Sequence, residues 1–311
     1  MTTAKTAASH SVHSSRAALA SVSLALVLLV AKAFAAYQTD STAMLGSLAD
    51  TALDLIASLT TLMGVRIAAQ PADLDHRFGH GKAEALVSLA QVALITVSAI
   101  GIMWRAAQRL VEHAKTEAMG IGIIVSIVAI ALTLVLLWYQ RQVIERTGSV
   151  AIKTDNVHYK ADLMLNFAVI VALVLDQALR VQGADAIFGM VIALWLIWGA
   201  YRASSEAVNQ LMDREWPEDE RQVFLDAAAG YDELRGLHDL RTRKSGTLRF
   251  VQFHVWVPAQ WTVQEAHDRL DHVEEQLQKR FPDTEILIHV DPEGQIDRET
   301  LLPQEITEQA S

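Results

Sequence analysis

Two pairs of ionisable residues stand four apart inside long apolar runs: Asp50 and Asp54 in GSLADTALD, and His158 and Asp162 in HYKAD. Residues so spaced share one face of a helix, a turn apart. A carboxylate at mid-membrane costs at least ~2.5–3.5 kcal/mol on insertion scales, so its presence there needs a compensating reason. If the two runs cross the membrane in opposite directions, a rise of 1.5 Å per residue puts Asp50 ~10 Å and Asp54 ~16 Å from one face. The same arithmetic puts His158 ~14 Å and Asp162 ~20 Å from the other, so the pairs coincide in depth within a ~30 Å core. Three carboxylates and one imidazole at a single level make a tetrahedral oxygen and nitrogen site. That set suits Zn²⁺; Ca²⁺ wants six to eight oxygens, and an imidazole argues against Mg²⁺. Helix caps or side chains facing interfacial water are the blander reading, but they leave the matched depths unexplained.

Two further groups have metal-ligand character. Asp73, His76 and His80 fall in the loop PADLDHRFGHGKAE, where glycines on either side of His80 let the chain fold tightly. A solvated charged loop is the alternative there. Towards the C-terminus His238, His254, His267 and His289 fall on or beside expected strands and a helix, and Asp291 lies two past His289. Residues two apart on a strand share a face, and a carboxylate has two oxygens with which to bridge two ions. With no cysteine in the chain, any metal site must be built from His, Asp and Glu.

The elements that would position these residues follow from composition. Hydrophobic residues make up 51% of the 311, too many for two ordinary soluble domains. Six apolar stretches, near 17–36, 43–69, 85–111, 119–139, 149–181 and 184–204, each reach the ~20 residues that cross a bilayer. Lys and Arg are concentrated on one side of this pattern, which places both termini in the cytosol. The first 206 residues carry 15 Lys and Arg against 14 Asp and Glu, and the remainder 11 against 22. An acidic total of −10 argues against a nucleic-acid partner.

Five segments are expected: a tail at 1–16, a six-span helical bundle at 17–206, a linker at 207–216, a soluble domain at 217–293 and a loose tail at 294–311. In the soluble part a helix at 218–229, strands at 236–244 and 249–257, a helix from Thr262 to about residue 280 and a strand at 285–290 read as an α+β domain of order α-β-β-α-β. Thr262 and Glu265 form a capping box at the start of the second helix. Lys82, just past the loop group, and Asp213, at the domain junction, are candidates for an ion pair holding protomers together.

The motifs GSLADTALD, QPADLDHRFGHGKAEAL, HYKAD, LMDRE, GLHDLRTRKSG, FVQFH, QEAHD and ILIHVDP resemble those of the cation diffusion facilitators, in particular the bacterial zinc and ferrous-iron efflux pumps. The resemblance covers nearly all of the chain after the first ~15 residues. It implies a homodimeric, six-span exporter of the bacterial inner membrane with a cytosolic metallochaperone-like domain. It also implies exchange of Zn²⁺, and with it Cd²⁺ and Fe²⁺, for protons, and it carries over the loop and cytosolic metal sites. Two departures stand out: no His-rich loop separates the fourth and fifth spans, and Val290 lies between His289 and Asp291.

Metal binding needs deprotonated ligands, so metal and protons would compete for the same atoms, and alternating exposure of the site would give antiport. No phosphate-binding loop of the Walker type is present, in keeping with transport that does not use ATP. An intramembrane metalloenzyme is disfavoured, because there is no HExxH motif and four protein ligands leave no open position for water. A metal-sensing membrane receptor without transport would keep the cytosolic sites, yet would have no use for matched ligands in the bilayer.

Overall fold

The computed structural model describes residues 2–39, 42–112, 120–179 and 184–294. The chain divides into two compact units, one of residues 10–208 and one that contains the residues from 209 on. The first is built from six long helices: α1 (Thr2–Thr39), α2 (Thr42–Ala68), α3 (Ala83–Glu112), α4 (Gly120–Thr147), α5 (Val150–Leu179) and α6 (Ala184–Leu211). Among the described residues five, α1 to α4 and α6, contain stretches long and apolar enough to cross a membrane. The sequence leads one to expect six. The fifth helix is not among them, and its first half carries Lys153, Asp155, Lys160 and Asp162.

This unit is built inside out relative to a soluble bundle. Large apolar side chains such as Val30, Met63, Val97, Val135 and Leu194 point outward, as lipid requires. Small and polar ones such as Ala17, Ser58, Thr61, Ser88, Ala151 and Ala161 fill the interior and let backbones approach closely. At Gly64 an added Cβ would lie 2.4 Å from Val87 Cγ2, so only glycine permits this approach of α2 to α3.

α5 packs against α2, α3 and α4. Its Asp155 is fully buried and gathers hydrogen-bond donors from four other helices. Ser21 Oγ of α1 donates at 2.7 Å, Gln140 Nε2 of α4 at 2.8 Å, Gln91 Nε2 of α3 at 3.4 Å and Thr61 Oγ1 of α2 at 3.5 Å. Glu84, at the start of α3, accepts a bond from Ser149 Oγ at 2.6 Å and caps the backbone N–H groups of Val150 and Ala151. Glu84 thereby satisfies two of the orphan donors that open α5, and Ser149 takes the next two.

The second unit contains α7 (Glu218–Ala228), a single turn at Asp232–Leu234, β1 (His238–Ser245), β2 (Leu248–Val257), α8 (Val263–Arg280) and β3 (Thr284–Pro292). The three strands pair in the order β1-β2-β3, the first two antiparallel and the last two parallel. A parallel pair needs a crossover, and α8 supplies it. Ala266, Leu270, Val273 and Leu277 form the buried stripe of α8, and the last three share a core with Val251, Phe253, Val255 and Ile286 of the sheet and Phe224 of α7. The capping box of Thr262 and Glu265 is formed. The tail expected after residue 293 lies, from residue 295 on, outside the described residues.

Gly236 adopts φ 62°, and a Cβ there would sit 2.4 Å from Trp256 Cε3. Its carbonyl accepts a hydrogen bond from His238 Nδ1 at 2.7 Å. Gly236→Ala is therefore expected to lose about 2–4 kcal/mol of stability in this unit, from left-handed backbone strain plus overpacking. Thermal unfolding followed by tryptophan emission would measure it, and a melting temperature equal to that of the unaltered chain would show the contact to be yielding.

Candidate metal centres

Asp54 of α2 and His158 and Asp162 of α5 come together, each with one ligand atom within 4.8 Å of the others. His158 Nε2 lies 3.0 Å from Asp54 Oδ1 and 3.6 Å from Asp162 Oδ2, so both carboxylates converge on one ring nitrogen. An ionised carboxylate only accepts, so in the short contact the imidazole is the donor. Tyr159, next along α5, donates to the backbone carbonyl of Ser21 at 2.9 Å and shares a 2.9 Å hydrogen bond with Ser58, fixing the rotation of the helix that aims His158.

Asp50 stands apart from this trio. The sequence leads one to expect four ligands at one level, but Asp50 Oδ2 lies 3.7 Å from Arg105 Nη1 of α3. A guanidinium within reach of the first carboxylate of the pair competes with convergence on the second. Asp50, Asp54 and Asp162 nevertheless line one cavity of about 320 Å³, together with Lys32, Arg105, Thr51 and Asn166.

The loop group also closes. Asp73 Oδ1 accepts the backbone N–H groups of His76 at 2.6 Å and Asp75 at 3.0 Å, and lies 3.3 Å from His76 Nδ1. Asp73 Oδ2 lies 3.4 Å from His80 Nε2. The backbone N–H of His76, first among its surroundings, holds the Asp73 carboxyl below its ordinary range, so it is ionised at any physiological pH. Gly79, at φ 76°, makes the reversal that brings His80 back.

In the second unit His238, His254 and His289 sit side by side on adjacent strands, as the register pairs His238 with His254 and His254 with His289. Asp291, buried, reaches all three: 3.4 Å to His238 Nε2, 2.9 Å to His254 Nδ1 and, through its other oxygen, 3.5 Å to His289 Nε2. His238 gives its Nδ1 hydrogen to Gly236, which leaves a lone pair on Nε2, and that buried atom has no hydrogen-bond partner. An orphaned ring nitrogen aimed at a carboxylate fits a divalent ion, with the backbone carbonyl fixing the tautomer from behind.

His267 is not in this cluster. It lies on α8 beside a groove lined by Ile288 and Val290, the alternate residues of β3 that face the helix, whereas His289 and Asp291 face the other side of the sheet. A position beside the strands in sequence did not bring it to their open face. Asp239, which the sequence does not single out, joins His238 and His254 in a possible ligand group. Strand alternation would send it to the opposite face, but its φ of 50° and the register shift between His238 and Arg241 turn it back. Asp213 also has a positive φ, of 55°, and its Oδ1 lies 3.6 Å from Arg243 Nη1 of the same unit.

Comparison with known proteins identifies the family. Residues 18–212 match the family model described as the cation efflux transmembrane domain, and residues 216–293 that described as the cation efflux protein cytoplasmic domain. The cation-efflux pump FieF of Cronobacter sakazakii is 42% identical over 278 residues, spanning 89% of this chain and 92% of that protein. FieF of Serratia proteamaculans is 42% identical over 276 residues, and FieF of Escherichia fergusonii 41% over 285, which spans 92% of this chain and 95% of that protein. The chain belongs to the cation efflux family, the cation diffusion facilitators, and by that membership is a cation-efflux transporter of the membrane.

Proposed function

We propose that this chain exports Zn²⁺, and with it Cd²⁺ and Fe²⁺, from the bacterial cytosol in exchange for protons, through Asp54, His158, Asp162 and Asp50. The observation that carries this reading is the convergence of Asp54 and Asp162 on His158 Nε2, on two packed helices of an apolar unit. The mixed nitrogen and oxygen set favours a borderline cation over Ca²⁺ or Mg²⁺. A metal ion arriving from the cytosol displaces the proton held between His158 and Asp54, and protons arriving from a more acidic exterior displace the metal. Exchange then requires only that the site open alternately to the two sides.

The same reading makes the protein a six-span homodimer of the inner membrane with both termini in the cytosol, α5 being the sixth span. Its second unit binds metal through His238, His254, His289 and Asp291, where a bound ion would tie three strands together. His267 joins such a site only if a second copy brings it there. Asp73, His76 and His80 form a more exchangeable site in the loop, and Lys82 and Asp213 remain candidates for an ion pair between protomers.

The test is metal-driven proton flux in proteoliposomes under a pH gradient, with Zn²⁺, Cd²⁺, Fe²⁺ and Mn²⁺ compared. Zinc is expected to drive flux without ATP. Zinc binding without movement of metal or protons would defeat antiport and leave a metal-sensing receptor as the better reading. For the cytosolic cluster, His238→Ala is expected to weaken zinc binding at least about tenfold, because it removes the ligand whose tautomer is already set. Calorimetric titration would check this, and unchanged affinity would remove His238 from the site.

A further inference from the structure

We propose that Arg105 is a tethered competitor of the transported ion: its guanidinium and the metal take turns at Asp50, and this exchange sets both affinity and release. The proposal rests on the transport-site reading above.

Arg105 lies 22 residues into α3, roughly 33 Å from Ala83 at 1.5 Å per residue. A rise of that length reaches the far interface of a ~30 Å core, where an arginine is retained by pairing or by facing water. Arg105 does both, lining the cavity that holds Asp50, Asp54 and Asp162, with Nη1 3.7 Å from Asp50 Oδ2. Asp50 is one helical turn from Asp54, which puts it within reach of an ion bound there as well as of the guanidinium.

A carboxylate oxygen that ligates a divalent ion cannot at the same time keep a close, full pairing with a guanidinium. Arginine does not give up its proton, so this competitor, unlike His158, keeps its charge through the whole cycle. Lys32 lines the same cavity and its charge acts on Asp162, but its Nζ donates to Thr51 Oγ1 at 2.6 Å, so the ion pair with Asp50 belongs to Arg105.

Two effects follow with opposite consequences for transport. The guanidinium repels an approaching dication and occupies one of its ligands, which weakens binding. By returning to Asp50 it also helps the ion to leave. Removing the charge should therefore tighten binding and slow turnover together, a split that loss of a structural contact would not produce.

The experiment uses zinc itself and the full chain in proteoliposomes. Arg105→Gln is expected to lower the KM for zinc about five- to tenfold, the effect of one partly screened charge, and to lower kcat with it, while Arg105→Lys stays close to the unaltered chain. A second measurement does not depend on transport: zinc titration in detergent, in a background carrying Asp73→Ala, His254→Ala and Asp291→Ala to silence the other clusters. There Arg105→Gln should tighten zinc binding when Asp50 is present and have no effect when Asp50→Asn is added. An unchanged or raised KM, or a tightening that persists without Asp50, overturns the proposal. If the unaltered chain moves no zinc, the transport reading fails, and the titration still decides whether Arg105 and zinc compete for Asp50.

Discussion

Asp162→Ala is expected to reduce zinc-driven proton flux at least about 100-fold in proteoliposomes, while the protein still folds and still binds zinc at its cytosolic cluster. Asp162 supplies one of the two carboxylates that converge on His158 Nε2, and it lines the cavity that also holds Asp50 and Asp54. Two unit charges 4 Å apart interact by about 4 kcal/mol at an effective dielectric of 20, and the ion carries two charges. Losing only about 3 kcal/mol of that already exceeds a factor of 100 in occupancy. The side chain is partly exposed to the cavity and makes no interhelical hydrogen bond of its own among those described, so its truncation should leave the bundle standing. Flux surviving at half its value or more would mean that the ion passes elsewhere.

The largest effect on stability is expected at Asp155, a residue outside the candidate ligand set. Asp155→Ala should cost about 3–5 kcal/mol, the range seen when a buried polar network loses its central member. Gln91 and Gln140 would each be left with one amide hydrogen turned towards a methyl group, and Ser21 would donate only to the Ala17 carbonyl. Five helices meet at this one carboxylate, so the damage should spread. Thermal unfolding in detergent, read by helical circular dichroism, should show a lower midpoint and earlier loss of α1 and α4 packing. Asp155→Asn, which keeps one acceptor, should fall between the two. A midpoint within 2 °C of the unaltered chain for Asp155→Ala would contradict this account; a loss of even 1 kcal/mol moves a domain of 150–250 residues by about 2–4 °C.

Much of the frame could be read from residue types because lipid imposes a strict demand. A helix that crosses must be apolar for about 20 residues, so Asp50, Asp54, His158 and Asp162 stood out against their surroundings. The order of helices and strands in the second unit, and the cap at Thr262, were legible for a similar reason: turn and cap residues act locally. What depends on three-dimensional choice was not. Depth arithmetic put Asp50 level with the other ligands, but it could not say that Arg105, from a different helix, would stand beside it. Counting histidines near strands could not say which face of α8 carries His267. The turning-in of Asp239 depends on a left-handed backbone residue and a shifted register, which no hydrophobic pattern records. Asp155 was within reach of sequence reasoning, since it lies three residues before His158 on the same helical stripe.

The parallel pairing of β2 with β3 has a consequence for biosynthesis. β2 is complete by Val257, but its second neighbour, residues 284–292, is the last regular element of the unit to be made, and Asp291 lies on it. During synthesis the chain therefore passes through a stage with α7, β1 and β2 in place, one edge of β2 unpaired and its histidines lacking their shared carboxylate. An unpaired strand edge invites pairing with another chain. The arrival of β3 closes that edge and brings His289 and Asp291 to the histidines of β1 and β2 in the same step, so this candidate cluster is complete only when the fold that carries it is finished.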